Sequence, residues 1–247
     1  MDNKINNLPH DQNYLIYDLS YETKFGVSMQ QFTQMSLKAI LKIIPIGKVI
    51  DIGCGTGRLT IPLAERNFQA IGVDLNAGML KALKEKADRK NLKIPTFTDI
   101  SQLEDQYCDL ALTVFTVLSY ILDEAGLVRL FQEIIRHLKP GGSYLFDLAI
   151  PSAFNQPNRK FSGNGLNGTV EVQFINPGGP IANYSESVII NNPDFPPNHL
   201  VTEFFQIRCW TLAEISHLLI ASGFVGITQV NGLEGTGANY YVCKREG

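Results

Sequence analysis

The stretch Val49–Gly57, with the sequence VIDIGCGTG, decides the fold of this 247-residue chain. A short run typical of a buried strand leads into three glycines at alternate positions, and a helix-like pattern follows. Glycine removes the Cβ atoms that would keep a ligand away from the backbone, and it permits the positive φ angles of a sharp turn. The stretch therefore predicts a strand–turn–helix unit that binds a nucleotide.

The spacing of the glycines narrows the choice of nucleotide. Turns that bind dinucleotides have glycine at their first, third and sixth positions, but the sixth position counted from Gly53 is Arg58. A phosphate-binding P-loop would continue with Gly-Lys-Ser/Thr, whereas Gly57 is followed by Arg58 and Leu59. Nicotinamide, flavin and nucleoside triphosphate cofactors are therefore disfavoured.

The pattern acidic-x-Gly-x-Gly-x-Gly, which starts at Asp51, resembles the first motif of class I S-adenosylmethionine-dependent methyltransferases. Two predicted strands follow it, Gln69–Leu75 and Ile94–Thr98, and each ends in or is followed by an acid, Asp74 and Asp99. An acid about twenty residues beyond such a turn lies beside a ribose in βαβ units. The resemblance implies that Asp51 helps to hold the cofactor's ammonium and that Asp74 accepts both ribose hydroxyls.

The resemblance also implies the remaining contacts to S-adenosyl-L-methionine. Asp99 would bind the adenine amino group, and the apolar residue after it would lie against the ring. The full set of expected cofactor contacts is Tyr17, Tyr21, Asp51, Gly53, Cys54, Gly55, Gly57, Asp74, Leu75, Met79, Asp99, Ile100 and Phe115.

Alternating strand and helix patterns continue after the glycine turn. Asp109–Val117 is a continuous apolar run, typical of a strand covered on both faces. Asp123 opens an amphipathic helix, the sequence LKPGG at 138–142 ends it, and Ser143–Ile150 is the next strand. This order predicts a doubly wound parallel sheet with its cofactor at the carboxyl ends of the strands.

The end of the chain completes the predicted fold. Thr211–Glu214 is a capping box that starts a helix, and Gly223 ends that helix. The last two predicted strands, Phe224–Val230 and Asn239–Lys244, can form an antiparallel edge hairpin, which is typical of the methyltransferase family. The expected fold class is α/β, with a doubly wound, Rossmann-like sheet of seven strands, an antiparallel terminal hairpin and an inserted small antiparallel β-sheet lid.

The inserted sheet is predicted from a change in composition. Pro151–Pro197 contains seven of the twelve prolines. Three β-like runs, Thr169–Ile175, Asn183–Ile190 and Val201–Trp210, suggest strands with one buried and one wet face. We therefore expect an N-terminal helical lid segment at 1–45, a cofactor-binding domain at 46–150 and 206–247, and a β-rich substrate lid at 151–205.

The N-terminal segment combines an amphipathic helix with closely spaced aromatic residues. The helix is expected at Gln30–Ile44, where Pro45 stops it. Tyr17 and Tyr21 precede it in a Tyr-Asp-Leu context that resembles the entry segment of small-molecule methyltransferases. These tyrosines either pack the helix onto the sheet or, as the resemblance implies, cover the methionine end of the cofactor.

Two residues are candidates for catalysis. Methyl transfer from a sulfonium is an in-line displacement, so the enzyme mainly aligns the nucleophile and excludes water. Tyr120 follows the fourth strand, at a position where the aminosugar N-methyltransferases that this chain resembles often have a histidine; here it either contacts substrate or packs. Arg208, near the end of the insert, faces either the substrate or a core carboxylate.

Composition limits the function classes. A net charge of −3 disfavours nucleic acid as a partner, and the four cysteines lack the spacing of metal or redox sites. The polar start of the chain lacks a signal-peptide pattern, and the uncharged stretch Leu110–Leu122 is too short for a bilayer. We expect a cytoplasmic protein without metal or membrane attachment, as a monomer or a homodimer.

The sequence therefore predicts an S-adenosylmethionine-dependent methyltransferase that acts on an N or O atom of a small-molecule acceptor. Two alternatives stay open: a cofactor-binding regulatory protein without turnover and, with less support, an NAD-dependent oxidoreductase. The identity of the acceptor is left open by the sequence.

Overall fold

The computed structural model describes residues 9–11, 14–25, 29–154, 156–231 and 237–247. Its strands are β1 (Lys48–Ile52), β2 (Gln69–Val73), β3 (Thr96–Phe97), β4 (Cys108–Thr113), β5 (Leu138–Ala149), β6 (Gln156–Gly163), β7 (Leu166–Phe174), β8 (Ile181–Ile190), β9 (His199–Arg208), β10 (Phe224–Gln229) and β11 (Ala238–Arg245). Its α-helices are α1 (Tyr17–Phe25), α2 (Met29–Ile43), α3 (Thr60–Ala64), α4 (Ala77–Arg89), α5 (Glu124–His137) and α6 (Leu212–Ala221). Short 3₁₀ helices lie at Ile100–Gln102, Val117–Tyr120 and Pro151–Phe154.

The central sheet has seven strands in the order β10-β11-β5-β4-β1-β2-β3. Strands β1 to β5 pair in parallel, whereas β11 is antiparallel to both β5 and β10. The α/β class and the terminal hairpin that the sequence predicts are therefore confirmed. The chain order reverses between β1 and β4, which creates the crevice where such sheets bind ligands.

Helices cover both faces of this sheet. Side chains alternate along a strand, so Leu110 and Leu112 of β4 point to one face and Ala111 to the other. The first pair belongs to a buried cluster with residues of α2 and α3, and Ala111 to a cluster with residues of α5 and α6. Phe131 of α5 and Ile215 of α6 are completely buried in that second cluster, and burying such a side chain contributes about 1.5–3 kcal/mol.

A second sheet lies between β5 and α6 in the chain. It is an antiparallel meander in the order β6-β7-β8-β9. The sequence predicts three of these strands but misses β6, whose sequence QPNRKFSG has no clear alternation and contains proline. The last strand ends at Arg208, three residues beyond the expected boundary at 205, so we propose 151–208 as the inserted unit.

Two other elements differ from the sequence-based expectation. β4 ends at Thr113 rather than at Val117, because the chain turns sharply at residues 115 and 116. The LKPGG segment ends α5 as expected, but it already forms the start of β5, with a left-handed Gly141 at φ 74°. Among the residues that the structure describes, no helix combines the length and apolar content needed to cross a membrane.

Candidate active site

The glycine turn connects β1 to α3 at the carboxyl edge of the sheet. The N–H groups of Gly53 and Cys54 both donate to the Val73 carbonyl, at 2.7 and 3.1 Å, which fastens the turn to β2. Gly53, Gly55 and Gly57 all have positive φ angles, of 70°, 53° and 90°. Because glycine adopts positive φ angles without steric cost, the backbone of this turn requires glycine at all three positions.

The three glycines differ in what surrounds them. A Cβ added at Gly53 would lie 2.6 Å from Val117 Cγ2, and one at Gly57 would lie 2.8 Å from Leu83 Cγ. A Cβ at Gly55 would have no atom within 4 Å. Gly53 and Gly57 therefore permit close packing of the protein itself, whereas Gly55 leaves open space in the cleft that it lines.

Asp51 lies in the same cleft and is almost fully buried, at 4% exposure. Its Oδ2 accepts a hydrogen bond of 2.6 Å from the Thr60 hydroxyl. Burial raises the pKa of Asp51 to about 6, although the Thr60 bond opposes that shift. The structure therefore places a carboxylate below the turn, where the sequence expects one near the cofactor's ammonium.

Asp74 follows β2 and reaches back to the turn. Its Oδ2 accepts from the Gly55 N–H at 2.8 Å and its Oδ1 accepts from the Asn76 N–H at 2.9 Å. Burial raises the pKa of Asp74 against these two bonds. The backbone thus fixes the carboxylate directly beside the open space at Gly55, and the expected bonds to a ribose stay a prediction.

The expected adenine contacts lie further along the same edge. Asp99 is exposed, and its Oδ1 accepts from the Ser101 N–H at 2.8 Å, a bond that lowers the pKa of Asp99. Leu75 is 70% exposed. Ile100 is half-buried. An apolar surface beside an acceptor group is thus available here.

Two further expected contacts, Cys54 and Met79, have buried side chains. Cys54 is buried in a cluster with residues of α3 and α4, and burial raises the pKa of its thiol well above the ordinary value. Met79 is buried in the first turn of α4, and its N–H donates to the Asn76 side chain at 3.2 Å. Cys54 also lines the cleft at the glycine turn, and its contact with cofactor stays a prediction.

A second cavity, of about 400 Å³, lies between the strand ends and the inserted sheet. Its walls include Tyr120 after β4, Tyr184 of β8 and Phe205 of β9. Phe115 lines this cavity and also the cleft at the glycine turn. The two spaces therefore meet at one aromatic side chain, so a molecule in the cavity would lie next to a ligand in the cleft.

The strand end that carries Phe115 is strained. Phe115 and Thr116 have φ angles of 78° and 64°, which side chains other than glycine rarely adopt. Asp147 of β5 holds them there, because its two carboxylate oxygens accept from the Phe115 and Thr116 N–H groups at 2.9 and 2.8 Å. Burial raises the pKa of Asp147 to about 6. Asp147 thus positions this turn, rather than standing free for a substrate cation.

Tyr17 and Tyr21 come from α1 and lie where the two spaces meet. Their rings are 4.7 Å apart, Tyr17 lines the cleft and Tyr21 lines the cavity. Tyr21 also packs against Phe115 at 5.0 Å, and burial raises the pKa of Tyr21 to about 12. Both tyrosines therefore lie at the junction of the two spaces, and their contact with cofactor stays a prediction.

Tyr120 lines the cavity, and sequence reasoning missed the residue that it bonds. His10 is buried, with its Nε2 2.9 Å from the Tyr120 hydroxyl and its Nδ1 3.0 Å from Glu203 Oε2. Burial raises the pKa of Tyr120 well above the ordinary value, so the phenol is neutral near pH 7. A lone histidine in a polar segment carries no periodic signal, because its partners are 110 and 193 residues away.

Arg208 has a different environment from the one expected of a catalytic residue. Its guanidinium donates to Glu214 Oε1 at 2.9 Å and to the Leu122 carbonyl at 3.0 Å, and it stacks 3.6 Å from the Trp210 ring centre. The described residues that line the cavity do not include Arg208. Trp210 in turn donates to the Leu118 carbonyl at 3.1 Å. Arg208 therefore braces the segment that carries Tyr120.

A buried ion pair joins α1 to the inserted sheet at the far wall of the cavity. Lys24 Nζ lies 2.8 Å from the Glu186 carboxylate, and both side chains are at most 2% exposed. Ser20 and Tyr184 donate to the same carboxylate at 3.2 and 2.6 Å. Burial alone would raise the pKa of Glu186, but Lys24 holds it below the ordinary value. The pair fixes the lid against the N-terminal helix.

Comparison with known proteins identifies the class of domain that carries this site. Residues 49–142 match the family model described as a methyltransferase domain. The chain therefore contains a methyltransferase domain, of the kind that uses S-adenosyl-L-methionine as its cofactor.

Three proteins illustrate what this chain is similar to. The chain is 31% identical, over 117 residues, to the cypemycin N-terminal methyltransferase of Streptomyces sp, an alignment that covers 44% of each protein. A methyltransferase structure from Clostridium acetobutylicum ATCC 824 superposes with a TM-score of 0.79 and 21% identity, covering 95% of this chain and 99% of the other. A sugar N-methyltransferase from Streptoalloteichus sp ATCC 53650 has a TM-score of 0.74 and 19% identity, covering 94% and 93%.

These similarities concern the fold and the methyltransferase domain of the chain, and they leave its methyl acceptor open. The alignments span under half the length of the first curated relatives, from 42% to 44%. At identities near 20%, the structural likeness shows the fold alone.

The residues around the turn fit S-adenosyl-L-methionine. The open space at Gly55 is a cradle that a Cβ would fill, and Asp74 stands beside it. Leu75 offers an exposed apolar side chain next to that acid. When bound here, S-adenosyl-L-methionine supplies a methyl group on a positively charged sulfur, which is an electrophile.

Proposed function

We propose that this protein is a methyltransferase that transfers the methyl group of S-adenosyl-L-methionine to an N or O atom of a small-molecule acceptor. The observation that carries the proposal is the position of Phe115, which lines both the cleft at the glycine turn and the cavity beneath the inserted sheet. An acceptor in the cavity is thereby held next to a donor in the cleft, which is what an in-line displacement requires.

The size and lining of the cavity support a small acceptor. A volume of about 400 Å³ lies in the range of sites for small molecules, and most of its lining is apolar or aromatic. The net charge of −3 gives no support to a nucleic-acid substrate. Within this class, an amino group on a sugar-like or metabolite acceptor ranks slightly above a hydroxyl.

The residues of the chain contribute mainly binding, orientation and exclusion of water. Tyr21, Phe115 and Phe205 enclose the cavity with aromatic surface. Tyr120 presents a hydroxyl to it. Aromatic enclosure removes bulk water from the path of the methyl group, which strengthens each polar contact inside.

A radiolabelled methyl-transfer screen over aminosugars, amines and phenols tests this proposal. We expect label on one class of small molecule. Asp74→Ala, assayed beside the wild type, should weaken cofactor binding by about 1–3 kcal/mol if the expected ribose bonds form. Cofactor binding without transfer to any small acceptor would favour the regulatory alternative, and transfer only to protein or RNA would contradict the proposed acceptor class.

A further inference from the structure

Three side chains from three distant parts of the chain form one hydrogen-bonded series in the wall of the cavity. Glu203 of β9 contacts His10 Nδ1 at 3.0 Å, and His10 Nε2 contacts the Tyr120 hydroxyl at 2.9 Å. His10 is 6% exposed and Glu203 is 8% exposed, while Tyr120 lines the cavity. The series therefore leads from a buried carboxylate to the space proposed for the acceptor.

Aromatic rings pack around the imidazole of His10, which also lines the cavity. The ring of His10 lies 4.9 Å from that of Tyr17, 5.3 Å from Phe205 and 5.9 Å from Tyr120, each with an edge-to-face orientation. A polar ring buried among aromatic rings needs hydrogen-bond partners for both of its nitrogens. Glu203 and Tyr120 are these partners.

The chemistry of the two ends sets the direction of the hydrogen bonds. A carboxylate oxygen only accepts, so His10 Nδ1 carries a proton and donates it to Glu203. In the neutral imidazole Nε2 is then an acceptor, and it takes the hydroxyl proton of Tyr120. The phenol oxygen of Tyr120 can then still accept a hydrogen bond from a donor in the cavity.

We propose that Tyr120, His10 and Glu203 form a proton relay that receives the proton of the acceptor during methyl transfer. Tyr120 is the catalytic residue that touches the acceptor, and His10 and Glu203 act through it. The inference rests on the proposed function, and it narrows the acceptor to a molecule whose reacting atom carries a proton, namely a primary or secondary amine or a hydroxyl.

The step balances without any further reactant. The acceptor atom bonds to the methyl carbon while the carbon–sulfur bond breaks and its electron pair returns to sulfur. The proton of the acceptor passes to the Tyr120 oxygen, and the hydroxyl proton of Tyr120 passes to His10 Nε2. The positive charge lost from sulfur thus ends on the imidazole, where the Glu203 carboxylate stabilises it. A tertiary amine has no proton to give and gains nothing from the relay.

Nitrogen NMR of the full chain, labelled with ¹⁵N-histidine, tests the arrangement without any activity. The resonances of His10 are identified by their loss in His10→Gln. At about pH 8 we expect the neutral tautomer with its proton on Nδ1, and a change in the Nε2 shift in Tyr120→Phe. A proton on Nε2, or an Nε2 shift that ignores Tyr120→Phe, would overturn the relay.

Kinetics with the acceptor found in the methyl-transfer screen provide the second arm. Because a positioned base typically contributes a factor of 10²–10⁴, His10→Gln should lower kcat by roughly 100-fold, with KM changed less than about threefold. His217→Gln makes the same exchange on an exposed face of α6 and should leave kcat unchanged. Glu203→Gln provides a second test if His10→Gln does not fold.

The dependence of kcat on pH separates a relay from a structural role. The groups that face His10 are Tyr17 and Tyr21 of α1, Tyr120, and Glu203 of β9, while Asp74 and Glu186 act on it from further away. The dependence of kcat on pH should differ between the wild type and His10→Gln, because only the wild type has the imidazole of the relay. An identical pH profile in both proteins would overturn the relay.

Failure of the relay is distinguishable from failure of the proposed function. Calorimetry with S-adenosylhomocysteine reports on the cleft alone. Absence of its binding would contradict the proposed function whatever the histidine tautomer. Normal binding together with an unchanged kcat in His10→Gln, or a preferred acceptor that is a tertiary amine, would overturn the relay and leave the methyltransferase intact.

Discussion

Replacement of Gly55 by alanine tests whether this glycine is required for stability of the fold or for binding of the cofactor. The φ angle of Gly55 is 53°, and an added Cβ would contact no atom within 4 Å. The substitution therefore brings backbone strain but no clash. An L-residue in this region costs roughly 1–2 kcal/mol, and the lower entropy of the unfolded alanine chain offsets part of it, which leaves a net loss of about 1 kcal/mol.

Gly141→Ala is the matched control for that strain. Gly141 has a φ angle of 74° and equally open surroundings, but it lies at the start of β5, at the opposite end of that strand from the cavity. Both variants should unfold about 2–4 °C below the wild type in a thermal melt. Equal destabilisation would show that the backbone cost of the two substitutions is the same.

Only Gly55→Ala should lose affinity for the cofactor. Its methyl group fills the cradle beside Asp74, so titration calorimetry with S-adenosylhomocysteine should give a Kd at least about tenfold weaker, or about 1.4 kcal/mol. Gly141→Ala should bind like the wild type. If both alanine variants bind S-adenosylhomocysteine equally well, the assignment of the open space at Gly55 to the cofactor is refuted.

Three further predictions concern stability. Burial raises the pKa of Asp51 to about 6, so protonation of Asp51 stabilises the folded state and this stabilisation is lost as the pH rises through 6. Urea titrations between about pH 3.5 and 7.5 should therefore show the free energy of unfolding of Asp51→Asn rising by up to about 3 kcal/mol relative to the wild type. A difference that is independent of pH would contradict the raised pKa. Lys24→Met leaves the Glu186 carboxylate buried without its cation and should lower the free energy of unfolding by about 3–5 kcal/mol. The double variant with Glu186→Gln should recover part of this loss. If the effects of the two substitutions on stability simply add, the two side chains are not coupled. Arg208→Lys loses the stacking on Trp210 and should lower the Tm while the Kd for S-adenosylhomocysteine stays unchanged, and a weaker Kd would place Arg208 back at the site.

The parts of the fold that the sequence predicts correctly are those set by local chemistry. The glycines at 53, 55 and 57 adopt positive φ angles because no other residue does so as readily. Thr211 and Glu214 form both bonds of the capping box at the start of α6. α2 begins one residue before the expected Gln30 and ends one residue before the expected Ile44. Each of these features depends on residues close together in the chain.

The features that the sequence misses depend on distant partners. β6 forms because β7 offers it an edge, although its own sequence has weak strand character. The early end of β4 follows from Asp147, more than thirty residues later, which captures the N–H groups of Phe115 and Thr116. His10 acquires its role only when β9 brings Glu203 beside it. Periodicity and spacing carry no information about such contacts.

The central claim is that the glycine turn holds S-adenosyl-L-methionine rather than a dinucleotide. Titration calorimetry of the wild-type chain with S-adenosylhomocysteine and, separately, with NADH tests it most directly. We expect saturable binding of S-adenosylhomocysteine, with a Kd well below millimolar, and no measurable binding of NADH. Submillimolar binding of NADH alone would contradict the account.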